Sequence, residues 1–282
     1  MNANPFVKPF LKWAGGKRYL IPEIKKRWPA NFKQTYFEPF LGGGAVLLSL
    51  QPAKAVVNDI NAELINCYEV VRDSVDELIE RLGYYHNDEE TFYQVRDWDR
   101  DTCSFEKRSA VERASRIIFL NKTCYNGLFR VNSQGQFNVP FGRYKAPNIV
   151  DEIVLHAVST YLKEADITFL CGDFEDALAQ AHRGDFAYLD PPYDMLSRSA
   201  SFTAYALNGF GKTEQQRLKA LVDTLQERQC KFLLSNAYTD YTEHLYGCGK
   251  YTIDRVEVPR PINSNAAKRG KVDEMLVWNY EP

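Results

Sequence analysis

Short apolar runs closed by polar or turn-forming residues recur along the chain: YFEPF at 36–40, AVVND at 55–59, ITFLCGD at 167–173, FAYLD at 186–190 and KFLLSN at 231–236. Runs of this length, rich in β-branched and aromatic residues, predict buried strands. Helical periodicity follows several of them, at 61–72, 174–181 and 213–227. That alternation is the rhythm of a parallel sheet covered by helices on both faces. Two late runs, 251–258 and 274–280, predict an antiparallel hairpin that finishes the sheet. Between the second and third strands the rhythm breaks. Helical patterns run from 74 to 120 and give way to a loop-rich stretch of Gly, Asn, Pro and aromatics. The pattern therefore predicts an α/β domain made of residues 1–60 and 161–282, with residues 61–160 inserted as a helical module ending in a β-hairpin.

Composition narrows this picture mainly by exclusion. With 45% hydrophobic and 26% charged residues in 282, the chain is neither disordered nor of a fibrous or disulfide-dense class. No run approaches the roughly 20 apolar residues that span a bilayer, and MNANPFVKPF lacks the apolar stretch of a signal peptide. A cytoplasmic protein is expected. Cys67, Cys103, Cys124, Cys171, Cys230 and Cys248 are scattered without a Cys-x-x-Cys pair, so free thiols and no metal site are expected. The net charge of −2 hides a lopsided distribution. Residues 8–27 carry seven Lys/Arg against one acid, and 121–148 and 258–271 carry four each against none. If folding gathers these three segments, they make a phosphate-binding face on an otherwise acidic body.

Candidate chemistry sits at strand ends. Gly42, Gly43 and Gly44 follow the first strand and precede an apolar helical start, where backbone can approach a ligand closely. The second strand ends in Asn58-Asp59, at the spacing where a carboxylate accepts ribose hydroxyls in a nucleotide fold. No Gly-Lys-Ser/Thr follows, and Glu38 would repel a pyrophosphate, so the turn is not a phosphate loop. The sharpest signal is Asp190-Pro191-Pro192-Tyr193 at the end of FAYLD. Two prolines enforce an extended exit without N–H donors, leaving carbonyls beside the Asp190 carboxylate and the Tyr193 ring. A carboxylate and a carbonyl hold the hydrogens of an exocyclic amine, and a base stacks on the ring. Asp173 closes the third strand, where the ordinary role of an aspartate is to cap the next helix.

With these motifs in place, the chain resembles the Dam-type DNA adenine methylases over nearly its whole length. The resemblance rests on PFLKWAGGK at 9–17, FEPFLGGGAV at 37–46, NDIN at 58–61, YNGLFRVNSQGQFNVPFGRYKAP at 125–147, GDFEDAL at 172–178 and DPPY at 190–193. It implies a seven-stranded, Rossmann-like class I methyltransferase sheet with an inserted DNA-recognition domain. It also implies S-adenosylmethionine bound through Trp13, Lys17, Glu38, Phe40, Gly42, Asp59, Asp173, Phe174 and Asp190. Double-stranded DNA is the implied partner. Lys12, Leu128, Arg130 and Pro140 would contact bases of GATC, Tyr125 would intrude into the base stack beside Asn126, and Lys122, Asn132, Asn138 and Lys145 would meet phosphates. The sequence leaves open whether the protein accompanies a restriction endonuclease acting on the same site or acts alone.

The residues agree with these implications. Lys122, Arg130, Arg143 and Lys145 interleave with Tyr125, Phe129, Phe137, Phe141 and Tyr144 around a Ser133-Gln134-Gly135 tip, a pattern that predicts a two-stranded ribbon for the major groove. An adenine inside a duplex cannot reach a methyl sulfonium, so it must be flipped into the pocket of Asp190 to Tyr193. Residues 194–211, with Ser197, Arg198, Ser199 and Ser201, are expected to close over it. The readings left beside this one are a longer site such as GATATC, a different amine (cytosine N4 or a protein glutamine), and a catalytically silent DNA-binding protein that keeps the fold.

Overall fold

The computed structural model describes residues 3–193, 210–259 and 271–282. Its strands are β1 (Tyr36–Glu38), β2 (Lys54–Asp59), β3 (Asp166–Cys171), β4 (Phe186–Leu189), β5 (Lys231–Ala237), β6 (Thr252–Pro259) and β7 (Lys271–Trp278). They form one seven-stranded sheet in the order β3-β2-β1-β4-β5-β7-β6. The first five run parallel, and β7 inserts antiparallel between β5 and β6, pairing Ser235 with Leu276 on one side and Asp254 with Leu276 on the other. The expected terminal hairpin is therefore present, and its second strand is the inner one.

Alternation along the strands assigns the two faces. Tyr36, Phe186, Tyr188, Leu233, Leu276 and Trp278 belong to one buried cluster, while Phe37, Ala187, Leu189, Phe232, Leu234, Met275 and Val277 belong to the other. The helices are α1 (Ile21–Lys26), α2 (Ala45–Leu50), α3 (Ala62–Asp73), α4 (Val75–Gly83), α5 (Glu89–Arg96), α6 (Thr102–Glu106), α7 (Ala110–Thr123), α8 (Glu152–Glu164), α9 (Phe174–Ala177), α10 (Lys212–Glu227) and α11 (Asp240–Tyr246). Leu218, Val222 and Leu225 of α10 and Tyr246 of α11 cover the second face. The first is covered by α3 and α8, and its cluster continues through α7 to Phe129 and Phe137. Buried residues thus run without a break from the sheet into the segment between β2 and β3. Among the described residues, no helix is long and apolar enough to cross a membrane.

Three local expectations change. The helix expected over 174–181 is one turn long, because Arg228 reaches from the end of α10 and donates from Nη1 to the carbonyls of Leu178, Ala179 and Ala181 at 3.3, 3.1 and 3.3 Å. Helix α8 occupies a stretch where none was expected; Asp151 caps it and Val154, Leu155, Val158 and Leu162 line its buried side. The expected two-stranded ribbon is held by two isolated antiparallel bridges, Cys124 to Phe141 and Val131 to Phe137, rather than by continuous strands.

Candidate active site

All parallel strands end at one edge, and the order turns back between β1 and β4, which opens a crevice at that point. The glycine turn lines it. Gly42 and Gly44 have φ of 49° and 63°, and a Cβ on Gly43 or Gly44 would lie 2.9 Å from Trp13 Cβ or 2.6 Å from the Tyr68 hydroxyl. Glycine is required there because Trp13 and Tyr68 press on the turn from both sides. Asp59 fastens it: Oδ2 accepts from the Gly42 N–H and Oδ1 from the Asn61 N–H, each at 2.9 Å. Burial raises the Asp59 carboxyl above its ordinary range, against the pull of those two N–H groups. Asn58 donates to the carbonyls of Pro39 and Gly172 at 3.1 and 3.0 Å, tying three strand ends together.

Beside the turn, Phe40, Phe174 and Phe210 form an aromatic wall with centroids 5.2 to 5.8 Å apart. Asp173 does cap α9, accepting from the Glu175 N–H at 2.9 Å, and it also pairs with Arg217 at 2.9 Å. The Arg217 guanidinium lies 4.9 Å from the Phe174 ring.

Across the crevice, Asp190 Oδ1 meets the buried Lys17 ammonium at 2.8 Å and accepts from the Ser235 hydroxyl at 3.1 Å. Burial raises the Asp190 carboxyl, and Lys17 and Ser235 oppose that rise. The same ammonium donates to the Gly15 carbonyl at 3.0 Å and stands 4.3 Å from the centre of the Tyr193 ring. Tyr193, held in line by Pro191 and Pro192, donates its hydroxyl to Glu274 at 2.7 Å. Glu38 lies beneath, 2% exposed, accepting from the Tyr36 hydroxyl at 2.7 Å. Burial, with Asp190 adding to it, pushes Glu38 up to about 8. Glu274 thus feels the Lys17 ammonium as well as Tyr193, while Glu38 feels Asp190.

The segment 125–147 flanks this crevice. Trp13 stacks on Phe129 at 5.0 Å and so joins the glycine turn to the hairpin. Asn121, buried at the end of α7, accepts from the Lys12 N–H at 2.8 Å and donates to the carbonyls of Lys12 and Gly127 at 2.7 and 3.1 Å. The Lys12 stem passes so close to Gly127 that a Cβ there would lie 2.4 Å from Lys12 Cδ. Its ammonium is 5.2 Å from the Tyr144 ring. Burial lowers the Lys122 ammonium, and Lys12 and Lys8 add to that effect, so the first two basic segments converge. Most of the third segment, at 260–270, and most of the lid expected over 194–211, at 194–209, lie outside the described residues.

Tyr125 is 53% exposed, and Asn126, Pro140 and Lys145 are exposed beside it. Leu128 is half-buried against the core. Among the described residues, Arg130 has no carboxylate partner; its Nε donates to Asn138 Oδ1 at 2.7 Å, an orientation across the hairpin that the sequence did not suggest. Asn132 organises the tip, where Oδ1 accepts from the Gln134 and Gln136 N–H groups at 2.9 and 3.0 Å. Asn132 and Asn138 thus have intramolecular work besides the phosphate contacts expected of them. The hairpin is clamped from behind. Buried Arg116 pairs with Asp99 at 2.6 Å, Asp99 accepts from the Phe137 N–H at 2.8 Å, and Arg100 donates to the Phe137 carbonyl at 2.7 Å.

Residues 13–258 match the family described as D12 class N6 adenine-specific DNA methyltransferase. The chain belongs to this family. It is 43% identical over 276 residues to the type II methyltransferase M1.LlaDCHI of Lactococcus lactis subsp. cremoris, covering 97% of this chain and 96% of that protein. It is 42% identical over 296 residues to the type II methyltransferase M.MjaIII of Methanocaldococcus jannaschii, covering 97% and 99%. It is 37% identical over 280 residues to the DNA adenine methylase of Escherichia coli, covering 98% and 96%. Among solved structures, a putative methyltransferase yhhF from Escherichia coli is similar at a TM-score of 0.37 and 10% identity, covering 95% and 91%.

This D12 class enzyme is thus a DNA adenine methyltransferase dependent on S-adenosylmethionine. Of the residues that position its crevice, Ser235, Glu274 and Asn121 escaped the sequence reading. A signal existed for the first two: each is a polar residue on the buried face of an apolar strand, in line with Leu233 and Leu276. Among the described residues, no cluster of His, Cys, Asp and Glu suits a metal ion, and all six cysteines are free.

Proposed function

We propose that this enzyme methylates the N6 amine of adenine within GATC in double-stranded DNA, after extruding the target base into the crevice at Asp190 to Tyr193. The observation that carries the reading is the meeting of the Asp190 carboxylate and the Tyr193 ring, each in contact with Lys17, at the point where strand order reverses. The crevice fits a nucleoside cofactor: a turn with no room for side chains, a strand-end carboxylate at Asp59 and an aromatic wall at Phe40 and Phe174. Trp13, Lys17, Glu38, Phe40, Gly42, Asp59, Asp173, Phe174 and Asp190 would hold or frame S-adenosylmethionine there, which supplies a methyl group on a cationic sulfur.

Asp190 and the Pro191 carbonyl accept the two hydrogens of the target amine and aim its lone pair. Among the described residues, Asp190 is contacted at Oδ1, by Lys17 and Ser235, and Oδ2 would take the amine. The N–CH3 bond forms as the S–CH3 bond breaks, and the nitrogen, positive at that moment, loses one proton to solvent. Asp190 stabilises this charge as it develops. The hairpin resemblance supports GATC, with Lys12, Leu128, Arg130 and Pro140 at the bases, Tyr125 and Asn126 at the stack, and Lys122, Asn132, Asn138 and Lys145 at phosphates. The type II names of two relatives support a companion restriction endonuclease for the same site. Sequencing of duplex DNA methylated in vitro tests the reading. N6-methyladenine confined to GATC is expected; a longer context such as GATATC overturns the site, and a different modified base overturns the chemistry.

A further inference from the structure

We infer that Glu274 is a positioning residue for methyl transfer, holding the Tyr193 ring by its hydroxyl so that the ring face stays beside Asp190. The inference rests on the reading that Tyr193 receives the extruded adenine. Two prolines restrict the backbone before Tyr193, so the remaining freedom of the ring lies mainly in its own side-chain torsions. The Glu274 carboxylate accepts the Tyr193 hydroxyl at 2.7 Å and fixes the far end of the ring. This anchor is rigid because Glu274 lies in β7, paired with Ala237 of β5 on one side and Val256 of β6 on the other. On the near side, Lys17 contacts both the ring, at 4.3 Å, and Asp190, at 2.8 Å, which sets the ring face and the carboxylate around one point. Without Glu274 the largely buried hydroxyl loses its acceptor, and the ring turns to satisfy it.

A double-mutant cycle tests this. Glu274→Ala, Glu274→Gln, Tyr193→Phe and the pair Glu274→Ala/Tyr193→Phe are compared by single-turnover methylation of a duplex, with cofactor affinity measured by calorimetry and folding by thermal denaturation. Glu274→Ala and Tyr193→Phe should each slow transfer about tenfold to a hundredfold, the equivalent of one charge-assisted hydrogen bond. The pair should be no slower than either alone, cofactor affinity should stay within about twofold, and Glu274→Gln, which keeps an acceptor, should restore most of the rate. Multiplying effects in the pair, or a Gln variant as slow as the Ala variant, overturns the inference. A 2-aminopurine placed at the target position separates the two readings. No fluorescence rise with the wild-type enzyme overturns base extrusion itself, whereas a rise with wild type and an unimpaired Glu274→Ala rate overturns only the role of Glu274.

Discussion

Lys17→Met should move the acidic limb of the pH–rate profile toward alkaline pH. The Asp190 carboxyl is raised by burial and drawn back down by Lys17 and Ser235. Removing the ammonium takes away the larger of the two opposing influences, so the carboxyl rises, and the ionised form needed to stabilise a positive nitrogen appears only at higher pH. The pair is close, at 2.8 Å, with Lys17 and Asp190 at 7% and 18% exposure. Coulomb's law gives about 6 kcal/mol at an effective dielectric constant of 20. Breaking a buried pair usually costs about 3–5 kcal/mol, and the lower figure is about a hundredfold in rate where the carboxyl must be ionised.

The assay is single-turnover methylation of a GATC duplex from pH 5.5 to 9.5, at fixed ionic strength and saturating S-adenosylmethionine, for wild type, Lys17→Met and Lys17→Arg. The Met variant should be slowed about a hundredfold near the foot of the wild-type limb and recover as pH rises, while the Arg variant should keep the wild-type limb. A Met variant slowed by the same factor at every pH refutes the reasoning, because Lys17 would then act on binding and not on the ionisation of Asp190.

Glu38, raised from 4.5 to about 8 mainly by burial, holds a proton in the folded protein that it loses in the unfolded chain at neutral pH. The stability it contributes is fully present below about pH 4.5 and is lost as pH rises through 8, roughly 5 kcal/mol in all. Glu38→Gln should therefore flatten the dependence of the denaturant midpoint on pH over that window, and an unchanged slope would exclude Glu38 as its source. Asn138→Ala frees Arg130 and should cost about 1 kcal/mol of discrimination at one guanine without altering the salt dependence of binding, whereas Lys145→Ala should weaken all sequences alike and reduce the salt slope by about one. A loss for Asn138→Ala by the same factor on every sequence would show that it acts through its proposed phosphate contact and not through Arg130. Asp99→Ala leaves Arg116 buried and unpaired and should destabilise by about 3–5 kcal/mol in urea denaturation; a loss below about 1 kcal/mol would show that the carbonyls of Val95 and Arg96 suffice for Arg116.

What was legible in the chain was local. Strands buried on both faces read as apolar runs, and the glycine turn, Asp59 and Asp190 to Tyr193 are contiguous motifs at strand ends. Helix α8 was missed because Ile, Val and Thr dilute its helical propensity, although Asp151 and the spacing of Val154, Val158 and Leu162 mark it. The short α9 was illegible for a different reason: the residue that ends it, Arg228, is about fifty positions away and arrives only with the fold. The same holds for the site. Asp190 meets Ser235 across 45 positions, Tyr193 meets Glu274 across 81, and Lys12 meets Asn121 across 109. No periodicity encodes such meetings; strand order creates them.

That order also divides the labour among the acids. Three acids, Asp190, Glu274 and Glu38, stand in or beside the crevice. Transfer moves positive charge toward the receiving nitrogen, so the acid nearest that nitrogen must be the ionised one. Burial alone would neutralise any of the three. Glu38, whose strongest helper is the Tyr36 hydroxyl, is left at about 8 and stays protonated at neutral pH. Glu274 has Tyr193 as its hydrogen-bond donor, with Lys17 drawing its carboxyl down from a greater distance. Asp190 alone has the lysine in direct contact, with a serine hydroxyl besides. Of the three, Asp190 is the acid whose rise on burial is opposed by a lysine in direct contact, which suits it to carry the charge that the proposed mechanism needs.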